Sequence, residues 1–160
     1  MGDPVEIRPA VKEPTNAERF VVTSDHITTS KSGCNHEKCP WKRGDKSIFE
    51  SPSYVVGKFI EVARMTLKVY FEFDGCDIKD AYVGVASGSS AVWGSSYFVW
   101  ATAADSADTC ASGCPECCER STLVKFRVKV EISSFWGLSG EVLYFDVSVC
   151  GYGAVVPLPV

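Results

Sequence analysis

The residues best equipped for chemistry in this chain are its eight cysteines. Six fall into two clusters. The first reads Cys34-Asn35-His36-Glu37-Lys38-Cys39, and the second reads Cys110-Ala-Ser-Gly-Cys114-Pro-Glu-Cys117-Cys118. Cys76 and Cys150 stand apart. Cysteine sulfur can ligate a soft metal, close a disulfide, or attack a substrate when an adjacent imidazole stabilises its thiolate. Each chemistry asks for a different arrangement.

Zinc asks for four ligands at the corners of a tetrahedron, best supplied by closely spaced pairs. Cys114-x-x-Cys117 has that spacing. Cys34-x-His36 or Cys34-x4-Cys39 supplies the other half, and Cys34, His36, Cys114 and Cys117 form the candidate zinc set. The halves lie about 70 residues apart, unlike the usual two-pair ribbon. Disulfides are the competing chemistry, with Cys34, Cys39, Cys110, Cys114, Cys117 and Cys118 as candidates. An even count permits four bridges, but eight cysteines allow 105 pairings. The adjacent pair Cys117-Cys118 is expected to send one bridge inward and one outward, towards another chain. Cys76 and Cys150 read as buried free thiols acting as small hydrophobes. A Cys34–His36 nucleophilic dyad, two residues apart in a loop, is a weak arrangement for catalysis.

Charge distinguishes the two clusters. Residues 31–46 carry Lys31, Lys38, Lys42, Arg43 and Lys46 against Glu37 and Asp45. Residues 104–121 carry Asp105, Asp108, Glu116 and Glu119 against Arg120. One loop has three positive charges in excess and the other three negative. Opposite fields favour approach, so the loops are expected to meet, within a chain or between neighbours.

Other constellations are sparse. His26 follows Asp25 and reads either as a relay pair or as a surface histidine beside an acid. No HExxH, GxSxG, P-loop or GxGxxG occurs, and an enzyme is not expected. Trp93, Tyr97 and Trp136 sit beside Gly and Ser and are the candidate exposed binding contacts; Phe98 and Trp100 are expected in the core. Arg120, Lys125, Arg127 and Lys129 form a basic row on one strand face. A net charge of −4 weighs against a general nucleic-acid binder.

These residues must be positioned by strands. Val124, Phe126, Val128, Val130 and Ile132 alternate with Lys125, Arg127, Lys129 and Glu131, the period of a half-buried antiparallel strand. Leu67 to Asp74 and Leu143 to Cys150 repeat the pattern. Phe20 to Thr29, Tyr54 to Val62, Ala81 to Ala86 and Val92 to Thr102 read as weaker strands. Asp74-Gly75, Ser87-Gly88 and Ser139-Gly140 mark turns. The expected fold is all-β: an antiparallel, jelly-roll-like β-sandwich of seven or eight strands. Its domain spans residues 19–153. Residues 1–18, with Pro4, Pro9 and Pro14, read as an extended arm, and residues 154–160 as an apolar tail.

The chain has 160 residues, enough for one domain with a sizeable core. Cysteines are therefore not needed merely to make it fold. Asn16 and Asn35 are the only Asn, and Gln is absent; scarcity of these labile residues accompanies durable proteins. No apolar run reaches the ~20 residues of a spanning helix, and the charged start does not read as a signal peptide. The expected function is a non-enzymatic structural subunit that self-assembles by sandwich packing, arm exchange and cysteine crosslinks, as a fibre, coat or virion component at a cell or virion surface. Its partner is then another copy or another protein, with neither nucleic acid nor membrane insertion. The first alternative is a secreted binding or effector protein contacting protein or glycan through exposed aromatics. The second is a zinc-stabilised interaction domain, zinc being the one cofactor considered.

Overall fold

A computed structural model describes residues 5–7, 11–12, 20–30, 33–50, 54–56, 60–91, 95–134 and 141–158. Strands carry the structure, and no helix occurs among the described residues. In chain order they are β1 (Val5–Ile7), β2 (Val11–Lys12), β3 (Phe20–Ile27), β4 (Lys42–Glu50), β5 (Tyr54–Val56), β6 (Ile60–Arg64), β7 (Thr66–Phe73), β8 (Ile78–Val85), β9 (Ser90–Ala91), β10 (Ser95–Ala111), β11 (Arg120–Ser134), β12 (Glu141–Cys150) and β13 (Val155–Leu158).

The period-two pattern of β11 sets its faces. Val124, Phe126, Val128, Val130 and Ile132 are buried, while Lys125 and Arg127 face solvent. Leu67, Val69 and Phe71 of β7 and Val147 and Val149 of β12 bury the same way. Burying an aliphatic or aromatic side chain contributes about 1.5–3 kcal/mol. These residues join Phe20, Ile27, Ile78, Val83, Tyr97 and Val99 in one core.

Eight strands form one mixed sheet in the order β13-β12-β11-β10-β3-β8-β7-β4. The pair β3/β10 runs parallel, with Phe20 opposite Tyr97; the other pairs along this path are antiparallel. Two packed antiparallel sheets were the expectation, and mostly a single sheet is found. Alternation reports that one face of each strand is buried. A curled sheet buries that face against itself and leaves the same signature as a sandwich. Here Lys46 Nζ of β4 donates to the Val155 carbonyl of β13 (3.4 Å), and Phe49 of β4 stacks on Phe145 of β12 (5.5 Å between ring centres). The two outer strands thus approach each other, and the sheet is a nearly closed barrel. A separate small sheet has the order β5-β6-β9.

Two further strands lie along β3. Val5, Glu6 and Ile7 pair antiparallel with Ile27, His26 and Asp25, and Val11 and Lys12 pair with Val22 and Val21. Residues 5–7 and 11–12 therefore lie extended beside the sheet of their own chain.

Residue parity in β10 corrects two expectations, an exposed Tyr97 and a core Trp100. Tyr97, Val99 and Ala101 point into the core, whereas Trp100 is exposed and Phe98 half-buried. Tyr97 is fully buried and stacks on Phe20 (5.4 Å), so it is a core residue rather than an exposed contact. The physical reason is the parallel pairing with β3, which sets Tyr97 opposite Phe20.

Candidate functional site

The cysteines gather at one end of the barrel. Four bridges use all eight: Cys34–Cys117, Cys39–Cys114, Cys76–Cys118 and Cys110–Cys150. Their Cα separations are 5.1, 6.3, 6.1 and 6.2 Å, within the range a disulfide spans. Cys76 and Cys150 are thus bridged, not free thiols. Adjacent Cys117 and Cys118 do diverge, but both partners lie in the same chain. Cys117 reaches the β3–β4 loop, and Cys118 reaches the β7–β8 turn. Cys110 lies on β10, which continues past a register shift between Asp105 and Thr109. The segment expected to be loop is strand there.

The two oppositely charged loops therefore meet within one chain. Charge does little of the holding: Lys38 Nζ and Glu116 Oε2 are 3.9 Å apart, and both side chains are about two-thirds exposed. Exposed pairs of this kind contribute about 0–1 kcal/mol. Cys34–Cys117 and Cys39–Cys114 supply the covalent connection.

The β7–β8 turn anchors this end. Asp74 is buried, and its Oδ1 accepts from the amides of Cys76 (2.8 Å) and Asp77 (2.6 Å). Thr29 Oγ1 donates to Asp77 Oδ1 (3.0 Å) and accepts from Ile78 N (2.9 Å). Ser121 Oγ and Thr122 Oγ1 both donate to the Cys76 carbonyl (3.0 and 3.1 Å). Buried polar atoms are thereby satisfied by hydrogen bonds, which removes the cost of burying them.

Glycines allow the backbones to touch. Gly75 N donates to the Gly151 carbonyl (2.9 Å), and Gly113 N donates to the Gly75 carbonyl (2.8 Å). Gly75 has φ +94°, and a Cβ there meets Gly113 C at 2.8 Å and Cys114 Cβ at 2.9 Å. Glycine is required at this position by conformation and by space.

His36 does not join the sulfurs. Its Nε2 lies 2.9 Å from Asp74 Oδ2, and its ring packs on Trp41 (4.8 Å between centres). That corrects the zinc set Cys34, His36, Cys114 and Cys117. The fourth group beside Cys34, Cys114 and Cys117 is Cys39, and the four sulfurs lie within 4.8 Å of one another. The Asp25–His26 pairing is not made either. Asp25 Oδ2 accepts from Ala103 N (2.8 Å), while His26 Nδ1 lies 2.6 Å from Asp80 Oδ1 and its ring stacks on Tyr82. Asp74 and Asp80 were not singled out from sequence, because nothing local marks an acid that meets a histidine 38 or 54 residues away.

Among the aromatic candidates, Trp93 and Trp136 lie outside the described residues. Among the described residues the exposed aromatics are instead Tyr152, Trp100 on β10 and Tyr144 on β12, with Lys129 of β11 paired between the last two. Lys129 Nζ lies 4.8 Å from the Trp100 ring centre and 6.0 Å from that of Tyr144. The rest of the basic row is matched locally. Arg127 Nε donates to Asp146 Oδ1 (3.1 Å); this hydrogen bond and the carboxylate charge raise the Arg127 pKa. Lys125 lies 3.7 Å from Asp108, and Arg120 Nε donates to Thr109 Oγ1. On β7, a hydrogen bond to Asp45 and the charge of that group raise the pKa of half-buried Lys68.

Two clefts open at the cysteine end, of about 160 and 220 Å³. The first lies beside Lys38, Cys39, Lys42 and Asp74, the second beside Ser106, Thr109 and Arg120. Both fall below the roughly 300 Å³ at which ligand pockets usually begin. The chain matches no known family model, no curated protein and no solved structure.

Proposed function

We propose that this chain is a non-enzymatic structural subunit that assembles with copies of itself, its bridges hardening each subunit and its N-terminal arm joining neighbours. The arm carries the reading. β1 and β2 pair along β3 by main-chain register, and all eight cysteines lie between residues 34 and 150. No disulfide ties the arm down. A neighbour's arm can make the same pairing with β3, the exchange by which identical elements join subunits at low cost. Crosslinks between subunits drop out of the proposal, because every cysteine has a partner in its own chain. The four bridges fit an oxidising setting, and we place the protein outside the cell or on a virion surface. Its partners are copies of itself or another protein, with neither nucleic acid nor membrane. Among the described residues the two clefts at the cysteine end are small, which agrees with a role without catalysis.

Sedimentation and light scattering in oxidising buffer test this directly. The full chain is expected to associate as concentration rises, and the chain lacking residues 1–18 to remain monomeric. A full chain that stays monomeric at every concentration rejects the reading.

One observation favours a second reading, a secreted binding protein. Exposed Trp100 and Tyr144 flank half-buried Lys129 in a row across three strands, and aromatic residues dominate many binding surfaces. If this row is the contact, Trp100→Ala should weaken partner binding about tenfold or more while leaving thermal unfolding nearly unchanged. Unaltered binding removes the row from consideration.

A further inference from the structure

We propose that Cys34, Cys39, Cys114 and Cys117, when reduced, form a tetrathiolate zinc site that excludes the bridges Cys34–Cys117 and Cys39–Cys114. This goes beyond the assembly role and does not depend on it. The four sulfurs lie within 4.8 Å of one another. A zinc ion at about 2.3 Å from each of four sulfurs places them about 3.8 Å apart. Moving from two bridges to one metal therefore needs shifts of only an ångström or two.

Backbone bonds independent of the bridges shape both halves of the site. Cys117 N and Cys118 N donate to the Cys114 carbonyl (2.9 and 3.2 Å), closing a tight turn around the Cys-x-x-Cys pair. Lys38 N and Cys39 N donate to the Asn35 carbonyl (3.2 and 3.1 Å), which turns the first loop back on itself. Gly113 N is held by the Gly75 carbonyl. The ligands come from two short-range pairs, the arrangement of structural zinc sites. Cys114 is buried and the other three cysteines partly buried, so the site is closed on the protein side.

Charge is also suited. Four thiolates and one zinc ion carry a net charge of −2. Lys38 and Lys42 line the cleft beside Cys39 together with Asp74, and Lys38 also lies 3.9 Å from Glu116, so the two lysines offset part of that charge.

The chemistry balances as two separable steps. A phosphine reductant passes two electrons to each bridge. With one water per bridge it yields two thiols and one phosphine oxide. Zinc then displaces four protons from the four thiols as four Zn–S bonds form. In the reverse direction, an external disulfide oxidant accepts two electrons per bridge formed and, with two protons from solvent, becomes two thiols, and the zinc ion leaves.

The test uses the full chain, reduced with a phosphine and titrated with Co2+ and then Zn2+. About one ion per chain is expected, with the thiolate-to-cobalt charge-transfer absorption of a tetrahedral sulfur site. Zinc should abolish that absorption. Alkylation followed by peptide mass mapping should show metal-dependent protection of these four cysteines, and His36→Ala should leave stoichiometry and absorption unchanged. A reduced chain that takes up no ion, folded or not, overturns the proposal. So does protection that falls on other cysteines, or loss of the absorption in His36→Ala.

Discussion

Removing both Cys34–Cys117 and Cys39–Cys114 should cost far more than removing either alone, and the single losses should be unexpectedly mild. The bridges close chains of 83 and 75 residues, and one loop lies inside the other. In the chain-entropy account a loop of that length restricts the unfolded state by about 4.5 kcal/mol. Once one bridge exists, the other closes only the short remaining segments, five residues from Cys34 to Cys39 and three from Cys114 to Cys117. Such a small ring contributes about 2.5 kcal/mol. The double variant Cys34→Ala/Cys117→Ala should therefore lose about 2.5 kcal/mol, and the quadruple variant about 6.5 kcal/mol, since the remaining Cys76–Cys118 bridge shortens the larger ring and lowers its share to about 4 kcal/mol. Domains have only about 5–15 kcal/mol in total. Denaturant unfolding of the oxidised proteins measures both values. Two equal, additive losses of about 4.5 kcal/mol would show that the nested-loop account is wrong.

The Cys76–Cys118 bridge is different in kind. It closes 42 residues and brings the β7–β8 turn into the network. No second bridge duplicates that link, so its loss should approach the full value of about 4 kcal/mol.

Gly75→Ala should destabilise the protein by about 3–5 kcal/mol, where Gly88→Ala costs only about 1 kcal/mol. The two glycines form a controlled pair. Their φ angles are +94° and +89°, so an added side chain meets similar backbone strain at each. Their surroundings are opposite. A Cβ at Gly88 meets nothing within 4 Å, whereas one at Gly75 meets the backbone of Gly113 and the Cβ of Cys114 below 3 Å. The difference between the variants, read by thermal or denaturant unfolding, isolates the close packing of the cysteine end. Equal losses would mean that this end yields freely.

Strands with a polar and an apolar side were legible in sequence; those without were not. In β11 the charges of Lys125, Arg127 and Lys129 fix the parity that buries Phe126 and Val128. Tyr97 to Ala101 is apolar throughout, and no residue there announces which side is inward; only the pairing with β3 decides it. β4 was hidden for the opposite reason. Its first five residues include Lys42, Arg43, Asp45 and Lys46, which read as loop, and its place at the end of the sheet leaves them solvated. The meeting of the two cysteine loops could be anticipated from their charges. The partner of each cysteine could not, because it depends on where the curled sheet places β3–β4 against β10–β11. The two-residue distance of His36 from Cys34 points to a shared metal, while its actual neighbour Asp74 enters from another strand pair.

The order of the bridges has a mechanical consequence. A pull applied at residue 34 and residue 150 acts across 116 residues of sequence, which would extend to about 400 Å as a free chain. Tension takes a shorter route. It crosses from Cys34 to Cys117, runs back seven residues to Cys110, and crosses to Cys150. Those seven residues stretch to only about 25 Å. Nearly all of the barrel lies off the line of force, and the oxidised protein should behave under load as an almost inextensible link.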